Sequence, residues 1–168
     1  RAEISQGEEM KTLLLAAAAI LSTLATGALA APAAPDERTD IISFDAGDAG
    51  MNAAIAEAKA TFPDFLAAYR SGRFDAGDFV FKYPLGGFEH IWVRFDGIEG
   101  DVLLGRLANV PAQPDFRIGQ AVRVPVADIS DWAYRDDKGV IVGHRTTRVM
   151  LDMMDEETRR STIDYMGW

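Results

Sequence analysis

Residues 89–108 read Glu-His-Ile-Trp-Val-Arg-Phe-Asp-Gly-Ile-Glu-Gly-Asp-Val-Leu-Leu-Gly-Arg-Leu-Ala, and this stretch decides the fold. Ile91, Val93 and Phe95 alternate with His90, Trp92 and Arg94, the period of two that sends successive side chains to opposite faces of a strand. Asp96-Gly97-Ile98-Glu99-Gly100 carries turn chemistry before Asp101 to Ala108, so the two runs are expected to pair as an antiparallel hairpin. With the turn centred near Ile98 and Glu99, Trp92 would lie opposite Gly105, where a missing side chain leaves room for an indole.

Upstream, Phe79, Phe81 and Tyr83 alternate with Val80 and Lys82, which predicts another strand. Before it, Met51, Ile55, Ala58, Phe62, Phe65, Leu66 and Tyr69 recur at helical spacing and form one stripe that must cover a core. Pro63 suits a first helical turn and not an interior, so a kink or two consecutive short helices ending near Gly72 are expected. Downstream, Val122, Val124 and Val126 alternate with Arg123 and Pro125, the proline marking an edge or a strand end. Ile129 to Arg135 predicts a further strand, and Asp136-Asp137-Lys138-Gly139 turns the chain into one more from Val140 to Met150. A last helix is expected behind an Asp152 or Asp155 cap, with Glu156 and Glu157 at its positive end and Tyr165, Met166 and Trp168 closing it. A kinked helix, an antiparallel sheet of five to six strands and a short C-terminal helix define the class as α+β.

Several separated motifs carry a resemblance: Glu89-His90-Ile91-Trp92-Val93, Gly105-Arg106-Leu107-Ala108-Asn109, Ile118-Gly119 with Val122 to Pro125, Asp128-Ile129-Ser130-Asp131-Trp132 with Tyr134, and Gly139 followed by Gly143. In this order they resemble the YegJ-like domain of unknown function, family number 2314, over roughly Met51 to Met150, with Leu151 to Trp168 outside the recognised part. The resemblance implies no reaction, cofactor or partner.

Lys11, the apolar run Leu13 to Leu21 and the ending Ala28-Leu29-Ala30 have the three-part layout of a secretory signal peptide. The apolar core is too short and too diluted by Ser22, Thr23, Thr26 and Gly27 for a spanning helix. Cleavage is expected between Ala30 and Ala31, which makes the protein periplasmic or secreted with no stable membrane span afterwards. Glu8 and Glu9 put negative charge where a signal peptide carries positive, so Met10 is expected to be the start and residues 1–30 to comprise upstream sequence and leader. Residues 31–45, rich in Ala, Pro and charge, read as a flexible leader to a single domain over 46–168.

The chain has no cysteine, which excludes a disulfide framework, thiolate metal ligation and a thiol nucleophile. Its net charge of −9 disfavours phosphate backbones, so nucleic acid is not an expected partner. The two histidines, His90 and His144, show no ligand spacing, and neither a metal nor another cofactor is expected. His144, beside Arg145 and Arg148, reads as part of a solvated strand face. Phe44-Asp45-Ala46-Gly47-Asp48 recurs as Phe74-Asp75-Ala76-Gly77-Asp78, and both copies read as turns.

The candidate ligand surface comprises Glu89, His90, Trp92 and Arg94 with Asp131 and Trp132. A histidine, an indole and a guanidinium on one strand face suit a carboxylate or a sugar ring, and carboxylates beside an indole suit a carbohydrate or cationic ligand. The competing reading is packing, with His90 half-buried and Trp132 and Tyr134 filling the core. No residue is assigned as catalytic. The expected function is a non-catalytic binding or interaction module of the cell envelope, with a protein or envelope ligand as partner. The alternative is an envelope hydrolase using His90 with Glu89 or Asp131, which requires those groups to converge.

Overall fold

A computed structural model describes residues 48–168, all within one compact unit. The expected signal peptide, the expected Ala30–Ala31 cleavage point, the expected leader over 31–45 and Phe44 to Gly47 lie outside the described residues.

Asp48 opens the first helix, its carboxylate accepting the Met51 N–H at 2.6 Å, a side-chain cap for an otherwise orphan donor. Helix α1 runs Ala49–Ala60 and α2 runs Phe62–Arg70, with Pro63 in the first turn of α2. The expected break is therefore two consecutive helices. Asp75 closes a 3-10 turn over Ala76–Asp78 by accepting the Gly77 N–H at 2.7 Å, so the second Phe-Asp-Ala-Gly-Asp copy is a turn.

Six strands follow: β1 Val80–Leu85, β2 Glu89–Glu99, β3 Val102–Leu107, β4 Ala121–Pro125, β5 Asp131–Arg135 and β6 Ile141–Gly143. They form one antiparallel sheet in the order β4-β3-β2-β1-β5-β6, and Pro125 ends edge strand β4. Helices α1 and α2 supply Ala58, Phe62 and Phe65 to the core, against Phe79, Phe81, Ile91, Val93, Phe95 and Trp132. Phe65 sits at its centre, 5.2 Å from the Phe79 and Phe95 rings and 5.7 Å from Trp132. The Trp132 Nε1–H donates to the Ala58 carbonyl at 2.8 Å, which satisfies the one polar atom of a fully buried indole.

Two expected registers are corrected. Strand β2 does not stop at Phe95 but continues to Glu99 through a bulge at Asp96, and the turn falls at Gly100-Asp101. Gly105 therefore faces Phe95, while Trp92 faces Lys82 of β1. Gly105 is needed for close approach: a Cβ there would overlap the Arg94 carbonyl and the Val93 side chain.

The run Val140 to Met150 is likewise not one strand. Strand β6 ends at Gly143, and Arg145–Met150 forms helix α3. Gly143 (φ 90°) and His144 (φ 54°) are both left-handed and make the corner. A Cβ on Gly143 would overlap the Trp132 carbonyl oxygen, so only glycine permits this turn beside β5. His144 is consequently the residue before a helix, not part of a solvated strand face.

Helix α4, Glu156–Met166, starts at Asp155, which accepts the Thr158 N–H and hydroxyl. Its end crosses the sheet face opposite α1 and α2: Met166 packs with Ala133 and Ile141, joined by Val80, Trp92 and Trp168. The Trp168 Nε1–H donates to the Ile141 carbonyl at 2.9 Å, docking the C-terminus on β6. The half of that outer face formed by β2, β3 and β4 presents Arg94, Arg106 and Arg123 as exposed side chains.

Candidate functional site

The outer face centres on a residue that sequence patterning treated only as a strand position. Lys82 lies in register between Trp92 of β2 and Asp131 of β5 and is 8 % exposed. Its Nζ stands 4.5 Å from the centre of the Trp92 ring, an attraction between ammonium and π-face. Nζ also donates to the Thr146 hydroxyl at 3.0 Å, and that hydroxyl donates to Asp131 Oδ2 at 2.6 Å. Lysine, threonine and aspartate thus form a buried relay.

Asp131 is fully buried and accepts three further donors, the backbone N–H groups of Trp132 at 2.8 Å, Arg145 at 3.2 Å and Thr146 at 2.8 Å. These bonds fasten the start of α3 to β5. Burial lowers the Lys82 pKa to about 8, and the charge of Asp131 opposes that shift.

Both histidines border this cluster. The His144 ring centre is 4.2 Å from that of Trp92, and its Nδ1 shares a 2.8 Å hydrogen bond with the Thr147 hydroxyl. Burial, with help from Lys82 and Arg148, lowers its pKa to about 3 and keeps the imidazole neutral at neutral pH. His90 Nδ1 shares a 2.8 Å hydrogen bond with Ser130 Oγ, and burial followed by Lys82 lowers its pKa as well.

Of the six proposed surface residues, the structure gathers three around Lys82: Trp92 and Asp131 on either side, and His90 beside Ser130. Arg94 shares the outer face but stands further along β2, directly opposite Arg106 of β3. Arg106 leans to Asp96 at 3.4 Å. Trp132 points to the opposite face and belongs to the core. Glu89 accepts the Ala112 N–H at 2.8 Å and Gln113 Nε2 at 3.3 Å, which ties the loop after β3 to the β1–β2 hairpin.

The hydrolase alternative needs His90 to meet Glu89 or Asp131, and the structure joins it to neither; its hydrogen-bond partner is Ser130. Ser130 is 2 % exposed, Asp131 is consumed by α3, Glu89 holds a loop, and His90 turns its Nδ1 to the serine. Among the described residues, no three of His, Asp and Glu are placed to share a metal ion, and no helix is long and apolar enough to cross a membrane.

Lys82, Thr146 and His144 are the site residues sequence reasoning missed. Lys82 carried one signal, a lone charge in the alternating run Val80 to Tyr83. Its partners, however, come from β5 and α3, 49 and 64 residues away.

A six-stranded antiparallel sheet, covered by two helices on one face and by a C-terminal helix over part of the other, defines a small α+β domain with a charged relay beneath its outer face. The chain belongs to a family described as "Uncharacterized protein conserved in bacteria (DUF2314)", whose model matches residues 48–167. That match includes α4, so the C-terminal helix lies within the family's extent rather than beyond it. A curated relative, the "Putative ankyrin repeat protein NMB1133/NMB1171" of Neisseria meningitidis serogroup B, is 36% identical over 72 residues, 42% of this chain. The matched stretch spans only 28% of that relative's length. No solved structure matches the chain.

Proposed function

We propose that this protein is exported by its N-terminal leader and serves as a non-catalytic binding module of the cell envelope, periplasmic or secreted. Its partner is a carboxylate-bearing protein or envelope ligand, held on the open half of the sheet around Trp92 and Arg94. The observation that carries this reading is the cross-strand pair Arg94–Arg106. Like charges directly opposite on a sheet are destabilising, and Arg94 has no acidic partner among the described residues. A carboxylate placed between the two guanidiniums converts that repulsion into charge-assisted hydrogen bonds. Trp92 beside Arg94 supplies an indole edge for the rest of the ligand.

Asp131 and Glu89 are each engaged away from His90, which pairs instead with the buried Ser130, and this favours binding over the hydrolase reading. Occurrence of a related segment inside a longer chain named for ankyrin repeats also fits an interaction role, since stacked repeats build extended binding surfaces.

The test is in-cell crosslinking followed by purification from fractionated cells. Expected are a product cleaved after Ala30 outside the inner membrane and a crosslinked partner that is lost in Arg94→Glu. Because Arg94 is exposed and Glu would pair with Arg106, that variant keeps or gains stability. Retention of the leader on a cytoplasmic product defeats the export reading, and a partner captured equally by wild type and Arg94→Glu defeats the assigned surface.

A further inference from the structure

A second concave feature lies away from the relay, between α1 and α3. It is a cleft of about 410 Å³, walled on the α1 side by Gly50, Ala53 and Ala54 and on the other by Arg145, Arg148 and Val149. That volume falls within the range of small-molecule sites. The small residues of α1 create the space: a Cβ on Gly50 would already stand 3.5 Å from Val149 Cγ1.

Each arginine places its guanidinium over an indole ring. The Arg145 guanidinium carbon lies 4.5 Å from the centre of the Trp132 ring, and that of Arg148 lies 3.5 Å from the centre of Trp168. This cation–π contact restrains both side chains, so less side-chain freedom is lost when an acceptor arrives. Their acidic counterweight is incomplete. Arg145 Nε stands 2.9 Å from Glu57 Oε1, close enough for an ion pair but off the hydrogen-bond line, and Arg145 Nη1 is buried with no acceptor.

A buried donor without an acceptor carries an uncompensated desolvation cost. Arg148 has no ion-pair partner among the described residues, and burial followed by the charge of Arg145 lowers its pKa. Two guanidiniums against one exposed carboxylate leave the cleft wall with a net positive charge in an otherwise acidic chain, and an oxyanion fits that charge.

We infer that the cleft between α1 and α3 is an anion-binding site in which Arg145 and Arg148 hold the carboxylate or phosphate group of a small ligand, with its apolar part against Ala53, Ala54 and Val149. The site is independent of the sheet face around Arg94. Trp168 lies under the Arg148 guanidinium, so the docked C-terminus supports one of the two binding side chains.

The experiment is an NMR titration of the purified chain with inorganic phosphate and, separately, with butyrate, using matched sodium chloride as control. The indole Nε1–H signals of Trp132 and Trp168 and the arginine Nε–H signals report the cleft. Saturable shifts with one or both anions and none with chloride are expected, and comparison of the two titrations assigns the preferred head group. Arg148→Gln is expected to weaken binding about tenfold or more, as loss of one charge-assisted pair would. Arg148→Lys, which keeps the charge without the planar fork, falls between. Ala53→Leu, at an exposed position, fills the cleft and abolishes binding with both arginines intact, whereas Glu57→Gln tightens it several-fold by removing the competing carboxylate. Shifts that stay linear with concentration, that chloride reproduces, or that survive in Ala53→Leu overturn the proposal. Arg94→Glu leaves the titration unchanged, which separates this site from the sheet-face reading.

Discussion

Replacing Thr146 by Val isolates the relay that joins the two halves of the outer face. The side chain is 3 % exposed, and valine nearly matches its volume, so the loss is confined to the hydroxyl. Two hydrogen bonds disappear, from Lys82 Nζ at 3.0 Å and to Asp131 Oδ2 at 2.6 Å, and each involves a charged group. Such bonds contribute about 1.5–3 kcal/mol apiece. Asp131 retains three backbone N–H donors, whereas Lys82 is left with only the face of Trp92 as a close partner. The expected destabilisation is therefore about 3 kcal/mol, the low end of the two-bond sum. Urea unfolding followed by tryptophan fluorescence measures it as a lower midpoint at unchanged m. A double-mutant cycle with Lys82→Met adds a sharper criterion. Removing the ammonium costs stability in the native background and restores some in Thr146→Val, where it relieves a charge without an acceptor, so the coupling energy exceeds about 1 kcal/mol. A Thr146→Val loss below about 1 kcal/mol, or equal effects of Lys82→Met in both backgrounds, would refute the relay as a unit.

The buried bases set the pH profile. Stability rises with pH wherever the unfolded chain binds more protons than the folded one. With His144 held at about 3 against an ordinary 6.5, the protein loses stability as pH falls through that window, by up to about 5 kcal/mol, and His144→Asn flattens this limb because asparagine tolerates the left-handed corner. Lys82, at about 8 against 10.5, adds a second rise of about 3 kcal/mol between those values that Lys82→Met removes; unfolding free energies measured from pH 4 to 10.5 display both limbs. Gly143→Ala combines a clash at the Trp132 carbonyl with a left-handed backbone and is expected to cost more than about 3 kcal/mol, read as loss of a folded NMR spectrum or of the cooperative unfolding transition. Phe65→Ala empties the centre of the aromatic core and is expected to lower the unfolding free energy by about 3–5 kcal/mol in the same urea assay.

The elements set by local periodicity were legible in the sequence, and those set by single-residue corners were not. The helical stripe Met51 to Tyr69 with its proline break, the alternation in β1 and β2, and the Asp155 cap all emerge as read. Misreadings fall where one residue changes the period. The turn at Gly100-Asp101 instead of Ile98-Glu99 moves the β2–β3 pairing and the bulge at Asp96 takes one residue back, which puts Phe95 rather than Trp92 across from Gly105. The left-handed pair Gly143-His144 turns an apolar run that reads as a strand into a helix. Site legibility follows the same line. The alternation put His90, Trp92 and Arg94 on one face as expected, but which strand supplies their neighbours depends on sheet order, and β1 pairing with both β2 and β5 is not written in any local window.

That distinction also separates architecture from function among the motifs that carry the family resemblance. Gly105 is explained by the Arg94 carbonyl and the Val93 side chain it abuts, and Gly143 by the Trp132 carbonyl. Glu89 is explained by the loop it fastens, Asp131 by the four donors it accepts, and Trp132 by the core and the Ala58 carbonyl. Each has a complete structural account, so none of them requires a ligand. Among the arginines of the two proposed sites, Arg94 and Arg148 have no ion pair among the described residues, whereas Arg106 leans to Asp96 and Arg145 to Glu57. In a chain of net charge −9, unpaired guanidiniums are not needed for solubility or charge balance. Where guanidiniums oppose one another they cost stability, and the proposed anion would offset that cost. The recognisable motifs accordingly build the scaffold, and on the binding reading proposed above it is these arginines that would meet a ligand.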